Sequence, residues 1–158
     1  MLDQILMESQ VGDRELVIAR QFVAQRAILF QAWTDPVQAM RWWGPRHCPA
    51  VLLEMDVRPG GRWRGCLKSP ESGLERWQSG VFREVSPSER LAFTFGWDGP
   101  EGRGPETLVT IDFLERDGGT LMNFRQGVFN TTPNRDGHHA GWSSSFDRLD
   151  DLLAALAG

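Results

Sequence analysis

The segment Gly141-Trp142-Ser143-Ser144-Ser145-Phe146-Asp147-Arg148-Leu149-Asp150-Asp151-Leu152-Leu153-Ala154-Ala155-Leu156-Ala157 carries the strongest periodicity in the chain. Trp142, Phe146, Leu149, Leu153 and Leu156 recur at alternating four- and three-residue steps, which draws one apolar stripe along a helix. Asp147, Arg148, Asp150 and Asp151 fall on the other side. A helix of this kind has to bury its stripe against a large apolar partner. Upstream, Thr132-Pro133 supplies the expected N-cap and first turn, while Gly137 and Gly141 weaken helix near its start.

The partner is legible in the residues before the helix. Arg14 to Val23 reads as a strand, Arg26 to Trp33 as a short helix, and Asp35-Pro36 restarts a second short helix that runs to about Trp43 and stops at Gly44-Pro45. Six strand candidates follow: Ala50 to Val57, Arg62 to Lys68, Leu74 to Val85, Arg90 to Trp97, Thr107 to Glu115, and Thr120 to Phe129. Short turn-rich links separate them, with a longer loop from Gly99 to Pro105. Such links imply an antiparallel meander, because a parallel pair needs a long crossover. The expected architecture is therefore α+β: a curved antiparallel sheet gripping a long C-terminal helix, with two short helices after the first strand.

Turn chemistry predicts register. Asp117-Gly118 suits a two-residue type I′ hairpin. It puts Val109, Ile111 and Phe113 on one face with Met122, Phe124 and Val128, and Thr110, Asp112, Asn123 and Arg125 on the other. Pro59-Gly60-Gly61 reads best as a three-residue loop. Leu53, Met55 and Val57 then share a face with Trp63, Gly65 and Leu67, while Arg62 and Arg64 point outward near Glu54 and Asp56.

Several ordered pieces resemble one superfamily. They are Phe22-Val23-Ala24, Phe30-Gln31-Ala32-Trp33-Thr34-Asp35-Pro36, Trp42-Trp43-Gly44-Pro45, and Asp56-Val57-Arg58-Pro59-Gly60-Gly61. Downstream come Gly80, Arg83-Glu84-Val85-Ser86-Pro87, Arg90-Leu91, Val109-Thr110-Ile111-Asp112-Phe113, Gly118-Gly119-Thr120, and Gly141-Trp142 with Leu149 and Leu153. Together they resemble the SRPBCC superfamily, also called START-like or birch-allergen-like. Within it they resemble the family named after the C-terminal domain of the activator of heat-shock protein 90 ATPase. The resemblance implies the helix-grip fold from Arg14 onward. It implies no single role, because members include ligand binders, co-chaperone domains and proteins of unknown role.

Composition narrows the function classes. The 158 residues suit one domain, expected over 13–158, with 1–12 as a flexible leader. Met1 to Gly12 lacks a basic start and a long apolar run, so it does not read as a signal peptide. A net charge of −4 argues against nucleic acid and against attraction to anionic membranes. Cys48 and Cys66 form no CxxC pair, which points to reduced thiols in a cytoplasm. Seven Trp and nine Phe, with no Tyr, favour an aromatic-lined cavity.

No candidate for catalysis stands out. His47 and Cys48 are neighbours that point apart on an extended segment, so they read as a loop bordering the pocket. His138 and His139 diverge on a helix and lack the i,i+4 spacing of a metal clamp, so capping or solvent exposure is expected for them. No phosphate loop, dinucleotide fingerprint or nucleophile elbow is present, and no cofactor or metal is expected. Arg125 belongs to the wet outer face, unless that face turns inward and the guanidinium anchors an anionic ligand. The ligand-binding set is Trp42, Trp43, Trp63, Phe113, Phe124, Trp142 and Phe146, converging between sheet and helix. The expected partner is a small hydrophobic or aromatic molecule held without catalysis. An enzyme such as a cyclase or hydrolase, a chaperone-binding module, and a homodimer stay open as alternatives.

Overall fold

The computed structural model describes residues 14–157; the leader expected over 1–12 lies outside them. The elements are β1 (Leu16–Phe22), α1 (Arg26–Thr34), α2 (Pro36–Met40), β2 (Ala50–Met55), β3 (Arg62–Lys68), β4 (Glu75–Ser86), β5 (Arg90–Gly99), β6 (Gly102–Arg103), β7 (Thr107–Arg116), β8 (Gly119–Gly127) and α3 (Thr132–Ala157). The strands form one antiparallel eight-stranded sheet in the order β1-β8-β7-β5-β4-β3-β2, with β6 pairing on β5. The sheet wraps α3, so the expected α+β helix-grip architecture is the one observed. The loop expected from Gly99 to Pro105 instead holds β6. Arg103 pins it by donating to Ser79 and pairing with Asp98 and Glu106.

Local chemistry sets the short elements. Leu29, Ala32 and Trp33 form the buried face of α1. The Asp35 carboxylate accepts from the Val37 N–H at 3.0 Å, capping α2 where Pro36 starts it. The helix ends at Met40, earlier than expected; Arg41 to Trp43 form a terminal turn, and Gly44 leaves it at φ +87°.

The hairpins test register. Asp117 and Gly118 both have positive φ, and Arg116 faces Gly119, as a type I′ turn requires. Ile111 faces Phe124 and Phe113 faces Met122 on the buried side, while Thr110 faces Arg125 outside. Arg125 is exposed, so the inward reading of its face does not hold. Val128 is 54% exposed because β8 stops at Gly127, and Gln126 occupies the inner position opposite Val109. At Pro59-Gly60 the faces are as expected but the loop is longer. Met55, not Val57, pairs with Trp63. Gly61 is drawn into a ladder with Phe82 of β4 instead of closing a tight hairpin on β2. The shift is two residues, so side-chain parity survives. Asp56 faces Arg62 through a backbone hydrogen bond, and its carboxylate pairs with Arg58.

Helix α3 begins at Thr132, one residue earlier than expected. The Thr131 hydroxyl accepts from the Asn134 N–H, which makes Thr131, not Thr132, the capping residue. Its 26 residues span about 39 Å at 1.5 Å per residue. Trp142, Phe146, Leu149 and Leu153 are buried as the periodicity requires. Leu156 is 49% exposed, and Leu152 is buried in its place. A 3.6-residue turn drifts against a strict three-four spacing, which turns Leu156 off the buried face. Arg20 of β1 fastens α3 from the sheet side, 2.9 Å from Asp147 and 2.6 Å from Asp150.

Candidate functional site

The sheet and α3 separate at one end, leaving a cavity of about 320 Å³. Its floor is two cross-strand rows: Leu67 beside Arg76, and Gln78 beside Trp97. Gly65 precedes Gln78 in the second row, with the Leu53 side chain over it. The roof is α3. Asn134, Gly137, His138, Gly141, Trp142 and Ser145 recur at three- and four-residue steps and so share one helical face. The side wall is the segment after α2, with Trp43, Pro45, His47 and Cys48. Arg76, His47 and Asn134 are exposed, so the cavity opens to solvent.

The two glycines of the roof explain the space. A Cβ on Gly137 or Gly141 would meet nothing within 4 Å. Where α3 continues with Phe146, Leu149, Leu152 and Leu153, the interior is filled.

Of the seven residues expected to bind ligand, Trp43 and Trp142 line this cavity. The other five lie in the packed interior. Trp42 donates to the Ala32 carbonyl at 3.0 Å and locks α2 onto α1. Trp63 stands over Gly80, where any Cβ would collide with the indole and the Thr94 carbonyl, and it borders only a void of about 10 Å³. Phe124 and Phe146 meet edge-on at 5.3 Å, and Phe113 packs edge-on against Phe30 at 5.5 Å.

The wall is a hydrogen-bonded aromatic frame. The Trp43 indole donates to Gln78 Oε1 at 2.6 Å, and the Trp142 indole to Gln126 Oε1 at 2.8 Å. Gln126 passes the chain on by donating to the Thr107 hydroxyl at 2.9 Å. The Trp97 indole donates to His138 Nε2 at 3.0 Å. These bonds hold the ring planes and use up their N–H groups. Arg148 fixes the side wall from behind by donating to the backbone carbonyls of Arg41, Trp43 and Gly44. Burial, with Arg46 nearby, lowers the Arg148 pKa.

His138 departs from the capping or exposed role expected of it. The helix starts six residues earlier, so His138 sits one turn before Trp142 on the inward face. Its ring lies among Phe95, Trp97 and Phe129, with centroids 4.8 to 5.8 Å away. Burial, reinforced by the Arg76 charge, lowers its pKa to about 4. His47 and Cys48 border the cavity as a loop, as their sequence context implied. Cys48 and Cys66 are both unpaired, and burial pushes the Cys66 thiol up. Among the described residues, no three His, Cys, Asp or Glu side chains gather into a metal-binding group.

Arg76, Gln78, Phe95, Trp97, Gly137 and Gly141 were not singled out as ligand contacts by the sequence reading. Strand parity offers part of the signal: Arg76, Gln78, Gly80 and Phe82 share the inner face of β4. A glutamine or arginine on an otherwise apolar inner face is the informative exception, because these side chains are mostly exposed.

These features define a helix-grip protein of SRPBCC type, with a lateral cavity between its sheet and its long helix. The profile of the family described as Activator of Hsp90 ATPase homolog 1-like protein matches residues 24–154, and the chain belongs to that family. Solved structures agree. The AHSA1 protein of Silicibacter pomeroyi is 26% identical, with a TM-score of 0.79 over 89% of this chain and 98% of that one. A Rhodobacter sphaeroides protein is 28% identical, with a TM-score of 0.77 over 91% and 95%. An Arthrobacter aurescens protein, 22% identical with a TM-score of 0.80 over 92% and 88%, shares the fold. Among curated proteins none matches this chain. No helix among the described residues is long and apolar enough to cross a membrane.

Proposed function

We propose that this protein binds a small hydrophobic or aromatic molecule in the cavity between β3–β5 and the first turns of α3. The observation that carries the reading is the lining. About 320 Å³ is bounded by Trp43, Phe95, Trp97 and Trp142, with Gln78 and Arg76 the chief polar groups of the floor. That is the low end of the roughly 300–1,000 Å³ typical of small-molecule sites, and the mix of aromatic walls with few polar groups is typical too. The rings are held in place by their own hydrogen bonds, so binding orders few side chains. Two unpaired thiols suit work in the reducing cytoplasm.

The test is a chemically broad set of aromatic and aliphatic compounds, read by Trp fluorescence and melting temperature. Trp43, Trp97 and Trp142 line the cavity, so an occupant is expected to change the emission. A uniformly silent set rejects the reading.

A catalytic reading draws on His138, a desolvated polar group at the cavity. A pKa of about 4 makes it a weak base at neutral pH, and the Trp97 N–H occupies Nε2. Binding is therefore the preferred reading over turnover. A chaperone role rests on the family's name and predicts retention of the chain by purified heat-shock protein 90.

A further inference from the structure

We propose, building on the small-molecule reading, that the cavity selects an amphiphilic carboxylate: an apolar body between Trp43, Trp97 and Trp142, and a carboxylate held by Arg76 and Gln78. Four observations converge on this class. First, among the described residues the lining contains no Asp or Glu, and Arg76 is its sole Arg or Lys. The protein as a whole carries a net charge of −4, so this cationic rim runs against its overall charge.

Second, the Arg76 guanidinium has no ion-pair or hydrogen-bond partner among the described residues. Its guanidinium lies 4.7 Å from the centroid of the Trp97 ring, which holds the group at the mouth without neutralising it. Third, Gln78 is 2% exposed and its Oε1 is occupied by the Trp43 N–H, which fixes which way the amide points. Among the described residues the amide NH₂ has no partner, and it is left to the cavity that Gln78 borders. Fourth, the indole N–H groups of Trp43, Trp97 and Trp142 are all spent on protein acceptors, so they do not orient a guest.

Arg76 and Gln78 stand two apart on the same face of β4. The long Arg76 side chain closes that gap, so both donors reach one anionic group. A planar fork and an amide N–H suit a carboxylate, which accepts at both oxygens. The cavity thus offers donors and one cation to the polar end of a ligand.

The experiment compares matched probes that differ only in that polar end: 1-naphthylacetate against 1-naphthylacetamide, and octanoate against octanamide. Each is titrated calorimetrically at pH 7 into the native protein and into Arg76→Gln and Arg76→Lys. The acid of at least one pair is expected to bind about tenfold or more tightly than its amide. That ratio is expected to fall to within about twofold in Arg76→Gln and to be partly kept in Arg76→Lys. Arg76 is exposed, so both variants are expected to melt with the native protein, and the melt is recorded alongside. Equal binding of acid and amide to the native protein overturns the carboxylate inference while leaving the cavity reading in place. An acid preference that survives Arg76→Gln overturns the assigned anchor. Binding by none of the four probes removes this inference, whereas the small-molecule reading falls only if the broad set is silent as well.

Discussion

The two halves of α3 face the same sheet with different results. From Phe146 onward the inward residues are Phe146, Leu149, Leu152 and Leu153, and the space between helix and sheet is filled. Before Phe146 the inward face alternates small and large, with Gly137 before His138 and Gly141 before Trp142, and about 320 Å³ stays open. A tight interior stabilises through dispersion contacts and burial, so the C-terminal half anchors the fold. The N-terminal half gives up that contribution and leaves the cavity open. One helix is thus packed along one half and open along the other, by side-chain size.

The contrast can be attacked at its strongest point first. Phe146 is fully buried against Trp33, Trp42, Phe124 and Trp142, so Phe146→Ala is expected to cost about 3–5 kcal/mol in chemical denaturation. A loss below about 1 kcal/mol would mean the filled half is not the anchor.

Next in size is an acid-sensitive contribution from the open half. The His138 pKa is about 4 in the folded protein, below its ordinary 6.5. The unfolded chain therefore takes up this proton as pH falls below about 6.5, while the folded chain does not until about pH 4. Stability from this group is full above pH 6.5 and is lost as pH falls through that window, by up to about 3 kcal/mol. The unfolding free energy of the native protein is expected to fall relative to that of His138→Phe by that order between pH 7 and 4. An imidazole that titrates near 6.5 by NMR would contradict the buried placement.

Third, Gly141→Leu should fill the cavity without strain, because the added Cβ has open space. Probe binding is expected to disappear while the melting temperature holds or rises. A destabilisation as large as that of Phe146→Ala would show that the roof is already packed. The smallest effect belongs to Gly137→Ala, which is expected to add about 0.5–1 kcal/mol through helix propensity alone.

Much of this arrangement is legible in the sequence where a local rule is strict. The Asp117-Gly118 turn dictates which of Phe113 and Asp112 faces inward, because type I′ geometry and a period of two leave one solution. The loop at Pro59 shows how far such a rule reaches. Parity survived, but pairing slid by two residues because β4, a distant segment, competes for Gly61. The candidate site was less legible. Trp43 and Trp142 were visible as large aromatic residues, yet nothing local separates them from Trp42, Trp63 and Phe124, which are packed solid. His138 faces inward because it lies one turn before Trp142 on the same helical face, while its burial comes from Phe95, Trp97 and Phe129, which are distant in the chain.

By itself the sequence determined the element order, the apolar faces and the helix that must be gripped. These follow from periodicity and turn chemistry, which act over a few residues. Only the tertiary structure decided which aromatic residues border empty space, and that Arg76, Gln78 and His138 meet there. A cavity is the volume left between elements distant in the chain, and it depends on how their side chains sum at each level along the helix.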